Sequence, residues 1–306
     1  MKKYLVCLML PVFALTIMAN TAMARSSNDI SIMVNKEIVN TDVSPYSERG
    51  TTIVPLNVVQ QIPGIKVAWN NSNKTITIER NEETIKLVAG QKSATIGEKK
   101  VNLPVVSQIK NGRVMVPLRF IAEAADAYVG WNPYDRSIYV VKSSPEMIEK
   151  TKSENLTEAR QAAFELPIVR TLKSMTQGDG SSTLFYYFPE GRADQVFMSM
   201  GNGVEYLEVI DGRLEQKWVA RFGDKGSKGP FFLEKLIEEE DGTQPQVSTN
   251  RVIYFKQILK IGAAEYGIID INGKVTNLGH HEMPGLYDFF DIPEEEVQNN
   301  RNITPF

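Results

Sequence analysis

Cysteine occurs once in this 306-residue chain, at Cys7, and histidine only twice, at His280 and His281. A single thiol excludes a disulfide scaffold, a cysteine-built zinc site and an iron–sulfur cluster. Two histidines exclude a three-histidine metal centre. No apolar run after residue 24 approaches the ~20 residues that span a bilayer. The concentrated basic footprint of a nucleic-acid binder is missing too. Residues 25–150 carry 16 Lys and Arg against 13 Asp and Glu, and residues 151–306 carry 16 against 24. A net +3 beside a net −8 points to two modules with different surfaces and to no nucleic-acid partner. What is present, 42 % hydrophobic and 23 % charged residues, is the profile of a folded chain long enough for two domains of ~100–200 residues each.

The first 24 residues read as an address. Lys2 and Lys3 form a positive n-region, Tyr4 to Met18 is an apolar run broken by Pro11 and Thr16, and Ala22-Met23-Ala24 supplies small residues for cleavage. This pattern predicts a signal peptide over 1–24, an exported mature chain without cysteine, and no transmembrane segment after cleavage. The expected location is secreted, cell-surface or periplasmic.

The next 120 residues repeat themselves. Val54-Pro55-Leu56 recurs as Val116-Pro117-Leu118, and Val67, Trp69, Asn70, Lys74, Thr75, Ile76 and Ile78 recur as Val129, Trp131, Asn132, Arg136, Ser137, Ile138 and Val140, all 62 positions apart. Each copy reads as a short strand, a proline whose fixed φ suits a helix start, a helix, and a hairpin with a polar turn. In the second copy Leu118, Ile121, Ala122 and Ala125 share one helical face, which should pack on a sheet. Thr84 to Val88, Lys92 to Ile96 and Lys99 to Leu103 read as short strands between the copies, and Asn111-Gly112 as a tight hairpin turn. Antiparallel sheet with two short helices, an α+β domain, is the simplest assembly.

These residues carry a resemblance. The pattern V-P-L-x-x-(V/I), then V-x-W-N-x-x-x-(K/R)-(T/S)-I-x-(I/V), matched twice in register and fullest at Arg113 to Ala124, resembles the copper amine oxidase N-terminal-like domain, or stalk domain, over roughly Ile30 to Lys142. The resemblance implies a small antiparallel sheet curled around helix, found in bacteria on secreted or cell-surface proteins beside unrelated effector modules. It does not imply oxidase activity. That chemistry belongs to a separate large domain with three copper-binding histidines and a tyrosine-derived quinone in an Asn-Tyr-Asp/Glu setting, and this sequence has neither the histidines nor the triplet. Two departures stand inside the pattern: Asn57 replaces the arginine found at Arg119, and Ala125-Asp126 replaces the Leu-Gly often found after the helix.

Four segments follow from this reading: a signal peptide (1–24), the stalk-like domain (25–143), a polar linker (144–154) and a β-rich module of unknown type (155–306). In the last, a helix is expected from an N-cap at Thr157 to Pro167, resuming toward Met175. Strands are expected over 183–188, 195–200, 204–210, 213–222, 251–261, 265–271 and 274–278, with Asp211-Gly212 and Asn272-Gly273 as hairpin turns. Leu214, Trp218, Ala220 and Phe222 alternate toward one face, as in a half-buried antiparallel meander. Pro230 should open a helix over 231–240.

Each candidate for chemistry has a plainer structural reading. Trp69 and Trp131 could be sugar-stacking platforms, but two equivalent core tryptophans fit a duplicated unit better. Arg119 and Glu123 are a solvated i,i+4 pair. His280-His281-Glu282 has no third metal ligand at a useful spacing, and neighbours on an extended chain point opposite ways. Gly223 to Gly229 lacks the order of a phosphate-binding loop. Glu238-Glu239-Glu240-Asp241 reads as a charge run at a helix end, not as facing carboxylates. Ser181, Ser182 and Ser199 lack a nucleophile elbow. The sequence therefore nominates no catalytic residue, no cofactor-binding residue, no metal ligand and no cofactor. It predicts a non-enzymatic, secreted cell-envelope binding or interaction protein with the cell wall or another envelope protein as partner. The alternative is a cell-wall hydrolase working through the C-terminal module.

Overall fold

A computed structural model describes residues 29–80, 83–175, 182–223, 237–245 and 251–295. The expected signal peptide, most of the glycine-rich segment 223–229, and Ser181 lie outside the described residues. Within them, no helix is long and apolar enough to cross a membrane.

The first half runs β1 (Ser31–Val34), β2 (Glu37–Ile38), β3 (Tyr46–Glu48), β4 (Thr51–Pro55), α1 (Leu56–Val59), β5 (Ile65–Asn70), β6 (Thr75–Arg80), β7 (Glu83–Val88), β8 (Ser93–Ile96), β9 (Lys99–Asn102), β10 (Gln108–Lys110), β11 (Arg113–Pro117), α2 (Leu118–Ala124), β12 (Tyr128–Asn132) and β13 (Ser137–Val141). The series β1 to β6 with α1 recurs about 62 positions on as β8 to β13 with α2, and β7 stands between the two. Turn geometry recurs as well. Arg49-Gly50 and Asn111-Gly112 share φ values near 50° and 73°, and Lys74 and Arg136 are both left-handed, at 55° and 57°. A left-handed pair is what a two-residue hairpin matching the strand twist demands.

At the centre lies the four-stranded sheet β10-β11-β4-β3, in which Val54 pairs with Val116. Two equivalent residues facing each other place an approximate two-fold axis between them. The Gln108 amide donates to the Tyr46 hydroxyl across the same axis, again between equivalent positions. The flanking sheets exchange hairpins: β1 and β2 join β13 and β12, while β8 and β9 join β6 and β5 through β7. Because β7 is present on one side only, β1 meets β13 directly, and the two run parallel from Ser31↔Ser137 to Val34↔Val140.

The core of this half is the apolar space between the two outer sheets and the helices. Leu118, Ile121, Ala122 and Ala125 are buried as their spacing predicts, the first three in one cluster with Ile76, Ile78, Ile85, Leu87, Ile138 and Val140. Both prolines end their strands at the helix N-cap position, where extended backbone and a fixed φ turn the chain into the helix. The expectation of two core tryptophans holds only in part. Trp69 is half-buried against the core, but Trp131 is 37 % exposed. Both sit on edge strands that overhang the core, so the duplicated position carries an overhang, not a centre.

The segment expected as a linker holds a helix, α3 (Pro145–Lys150), opened by Ser144, whose hydroxyl accepts from the Met147 amide at 3.2 Å. Next comes α4 (Leu156–Glu165). Its N-cap is Asn155, accepting from the Glu158 amide at 3.0 Å, and not Thr157. The helix does not resume toward Met175, because the chain becomes β14 (Ile168–Val169). Then follow β15 (Thr183–Pro189), β16 (Gln195–Met200), β17 (Gly203–Ile210), β18 (Arg213–Phe222), β19 (Ile237–Gly242), β20 (Val252–Ile258), β21 (Ala263–Ile269) and β22 (Val275–Glu282).

They form one nine-stranded sheet, β14-β18-β17-β16-β15-β20-β21-β22, with β19 sharing the outer side of β18. Only the short β14·β18 contact is parallel in this sheet. The α+β fold of mainly antiparallel sheets is thus the observed one. Residues 237–240 are strand where a helix was expected, since pairing with β18 overrides the helix propensity of an acidic run; 231–236 lie outside the described residues.

One face of the sheet packs under α4 and the 283–295 segment through Phe164, Tyr186, Phe188, Phe255 and Phe289. The other carries Tyr187, Phe197, Tyr206, Trp218 and Tyr254. Leu214 does not share a face with Trp218, Ala220 and Phe222. Leu207 pairs with Gln216 and Tyr206 with Trp218, so Lys217 is an extra residue, a β-bulge that reverses the alternation between Leu214 and Trp218. The carbonyl of Lys217 is taken by the Thr243 amide at 3.0 Å.

Candidate interaction surfaces

Two hairpin strands of the first half, β12 and β13, turn one face to the core and the other to the second module. On the outward face Tyr139 and Val141 pack on Val169 of β14. The guanidinium of Arg213 lies 3.7 Å from the centre of the Tyr128 ring, held there by Glu215 at 2.6 Å. Such a stacked cation contributes about 0.5–2 kcal/mol, more as water is excluded. Gly130 is the close approach of the seam: a Cβ there would lie 3.0 Å from the Tyr128 ring and 3.3 Å from Val169.

Hydrogen bonds complete the junction. Asn132 uses its side-chain carbonyl to close its own turn, accepting from the amides of Tyr134 and Asp135. Its amide group donates to the carbonyls of Arg170 at 3.0 Å and Leu172 at 3.3 Å. Ser143 donates to the Gly212 carbonyl at 2.6 Å, and Lys36 to the Phe164 carbonyl at 3.2 Å. Burial raises the hydroxyls of Tyr128 and Tyr139 above the ordinary tyrosine value, with the carboxylates of Glu215 and Asp135 adding to it. Behind the seam Arg170 binds Glu205 through two bonds of 2.9 and 2.7 Å, and Gln216 donates to the same carboxylate.

The residues singled out in the sequence are not brought together. His280 and His281 lie on β22 near the edge of the sheet, where His281 stacks on Phe290 at 4.4 Å and its Nδ1 meets the Glu282 carbonyl. Among the described residues no three His, Cys, Asp or Glu side chains converge as metal ligands. The acidic run 238–241 lies on β19 and is bound to its surroundings. Arg221 pairs with Glu238 and Glu239, Lys173 with Glu239, the Trp218 indole donates to Glu240 at 2.8 Å, and the Lys173 amide to Asp241 at 2.8 Å. Ser199 donates to the Gly203 carbonyl within its own hairpin, and Arg119 and Glu123 form an exposed pair at 3.9 Å.

A second cluster clamps the end of the described chain. Arg160, 1 % exposed, binds Glu295 at 2.8 and 2.5 Å and the Arg192 carbonyl at 3.1 and 3.0 Å, while lying 4.5 Å from the centre of the Phe188 ring. Glu295 also accepts from the Gly191 amide. Next to it Arg251 pairs with Glu190. These groups hold the 283–295 segment on the sheet.

Sequence reasoning missed the seam: Tyr128, Tyr139 and Arg213 carry no local signal of contact with a distant segment. The one clue was Asn132, which shares its turn-closing role with Asn70 and has an amide to spare.

No curated protein matches the chain. Residues 33–140, about a third of it, match the sequence profile of the copper amine oxidase N-terminal domain. That match covers β1 to β13 almost end to end and stops before the second module, to which no family is assigned. The chain therefore carries a copper amine oxidase N-terminal domain, joined through the Asn132 and Tyr128–Arg213 seam to a separate β-rich module.

Proposed function

We propose that this chain is an exported, non-enzymatic binding or interaction protein of the bacterial cell envelope. In this reading residues 25–143 are an adaptor built from an internal repeat, and residues 155–306 present the surface that meets the cell wall or another envelope protein. The observation that carries the proposal is the seam. An adaptor must hold its cargo in a fixed direction, and the Tyr128–Arg213 stack with the Asn132 hydrogen bonds fixes the β-rich module on the outward face of β12 and β13. The signal-like residues 2–24 support export. The binding reading draws support from the ion pairs that engage the acids of β19 in holding strands together.

Co-sedimentation of residues 25–306 with isolated cell-wall sacculi, with the supernatant assayed for released sugar and peptide, tests it. Retention without release is the expected result. Release of wall fragments would make the protein a hydrolase instead, and neither retention nor release would overturn wall binding.

A further inference from the structure

We infer that the strap of residues 283–295 is exchanged between two copies of this chain, so that each groove between α4 and the sheet is filled by the strap of the other copy. The inference concerns self-association and goes beyond the binding reading above.

The strap has neither helix nor strand. It lies in its groove as a bound peptide lies on a receptor, with carbonyls taken by side chains of the body. The Gln161 amide group donates to the Phe289 carbonyl at 2.9 Å, and the Arg251 guanidinium to the Glu294 carbonyl at 3.3 Å. Phe289 fills a pocket between the rings of Phe164, Tyr186, Phe188 and Phe255, whose centres lie 5.5, 5.1, 5.1 and 5.2 Å from its own. Glu295 supplies the countercharge of the buried Arg160. An empty groove would expose these rings and leave a buried guanidinium unpaired. The occupant must bring an aromatic anchor and a carboxylate at the spacing of Phe289 and Glu295, and the strap itself, from the same or from a second copy, meets that demand.

What decides between the two is the hinge, because the groove contacts are the same in both forms. Gln257 pins the chain on one side of it, donating to the carbonyls of Met283 at 3.0 Å and Gly285 at 2.9 Å. On the other side Phe289 is seated in its pocket, and Phe290 comes back onto His281 at 4.4 Å. The reversal falls on residues 286–288. Here the Gly285 amide donates to the Asp288 carboxylate at 2.6 Å, the Phe289 amide to the Tyr287 carbonyl at 2.8 Å, and Tyr287 is left-handed at a φ of 70°. A bulky residue in that region is strained. Short strained hinges favour exchange, in which the chain runs on to a second copy without turning back.

A second observation lies beside the hinge. Leu259, Ile261 and Leu286 are exposed apolar residues at this end of the sheet, where the Gly262 carbonyl accepts from the Met283 amide at 2.8 Å and a Cβ on Gly262 would lie 3.3 Å from Pro284. Two copies that exchange straps meet at their hinges, which brings these side chains together about a two-fold axis and out of water.

The Thr157 hydroxyl of α4 donates to the Asp291 carboxylate of the strap at 2.5 Å, and residues 25–306 contain no cysteine. For the test, Thr157→Cys/Asp291→Cys is refolded at millimolar concentration, separated into monomer and dimer by size-exclusion chromatography, oxidised and run on a denaturing, non-reducing gel. The dimer should stay a pair of covalently linked chains, and the monomer a single internally linked one. Ile261→Asp should weaken dimerisation about tenfold or more. Inserting Gly-Ser-Gly after Leu286 should weaken it by about the same factor, since a longer hinge lets each strap reach its own groove unstrained. Both variants should keep the thermal midpoint of the monomer. A chain that stays monomeric, a dimer that separates on the gel into internally linked chains, or a dimer indifferent to the longer hinge would each overturn the inference.

Discussion

Replacing Glu295 with Gln probes the clamp on the end of the sheet. The substitution preserves shape and leaves the Arg160 guanidinium buried with its countercharge gone. Arg160 and Glu295 are 1 % and 4 % exposed at their side chains, so water cannot take the place of the lost carboxylate. Breaking one partner of such a pair costs about 3–5 kcal/mol, most of it the penalty of an uncompensated buried charge. The two bonds to the Arg192 carbonyl and the Phe188 ring remain, which places the expected loss near the lower end, about 3 kcal/mol. Arg160→Met/Glu295→Leu removes both charges and keeps the volume, and should recover to within about 1 kcal/mol of the unmodified protein, because the desolvation cost disappears with the attraction. Urea unfolding followed by the fluorescence of Trp218, buried in the same sheet, reads the difference. The argument is refuted if Glu295→Gln unfolds within 1 kcal/mol of the parent, or if the double variant loses the sum of the single losses.

Further expectations follow from the bulge, the seam and the buried hydroxyls. Gly242→Ala would set a Cβ 2.4 Å from the Lys217 carbonyl at a φ of +88°, and should detach β19, seen as faster amide exchange over 237–242 with β20 and β21 unaffected. Arg213→Ala removes the stack on Tyr128 and its clamp to Glu215. Small-angle scattering should then show a larger radius of gyration as the two modules move apart, and an unchanged profile would refute the seam as the element that sets their direction. Burial raises Tyr186, Tyr187 and Tyr206 far above the ordinary tyrosine value of 10.0. Since the folded form holds these protons more tightly, their contribution to stability is complete below pH 10 and falls as pH rises beyond it. Absorbance at phenolate wavelengths should show them ionising only with unfolding, and free titration near pH 10 in a folded protein would contradict their burial.

How far the fold could be read in advance depended on the range of the forces involved. Asn111-Gly112 and Asp211-Gly212 declare their hairpins locally, because the left-handed pair is a property of those residues. The buried face of α2 is equally local, a matter of spacing. Asn155-Leu156-Thr157-Glu158 also carried its signal, an Asn with a glutamate three residues on, and favoured Asn155 over Thr157 as the cap. The parallel meeting of β1 and β13 has no local signature, since it arises from the exchange of hairpins and the absence of a second β7. Glu238 to Glu240 read as the end of a helix by propensity and became strand because Arg221, Trp218 and Lys173 await them on neighbouring chain. The extra residue at Lys217 was likewise invisible, and with it the face of Leu214. As for the candidate surfaces, the repeated Asn70 and Asn132 were legible, but which of them is covered depends on a segment about 40 residues further along.

The parallel pairing of the domain's first and last strands has a mechanical consequence. Residue 31 begins β1 and residue 141 ends β13, and because the strands run side by side in the same direction these two points lie at opposite ends of one ladder. A pull between whatever precedes β1 and the module that follows β13 therefore acts along the strands in opposite senses. It loads the β1·β13 hydrogen bonds together, in shear, where an antiparallel pair pulled from adjacent ends would open one bond at a time like a zip. Placed between an anchored end and a load, this domain resists extension along the very axis on which it joins its neighbours.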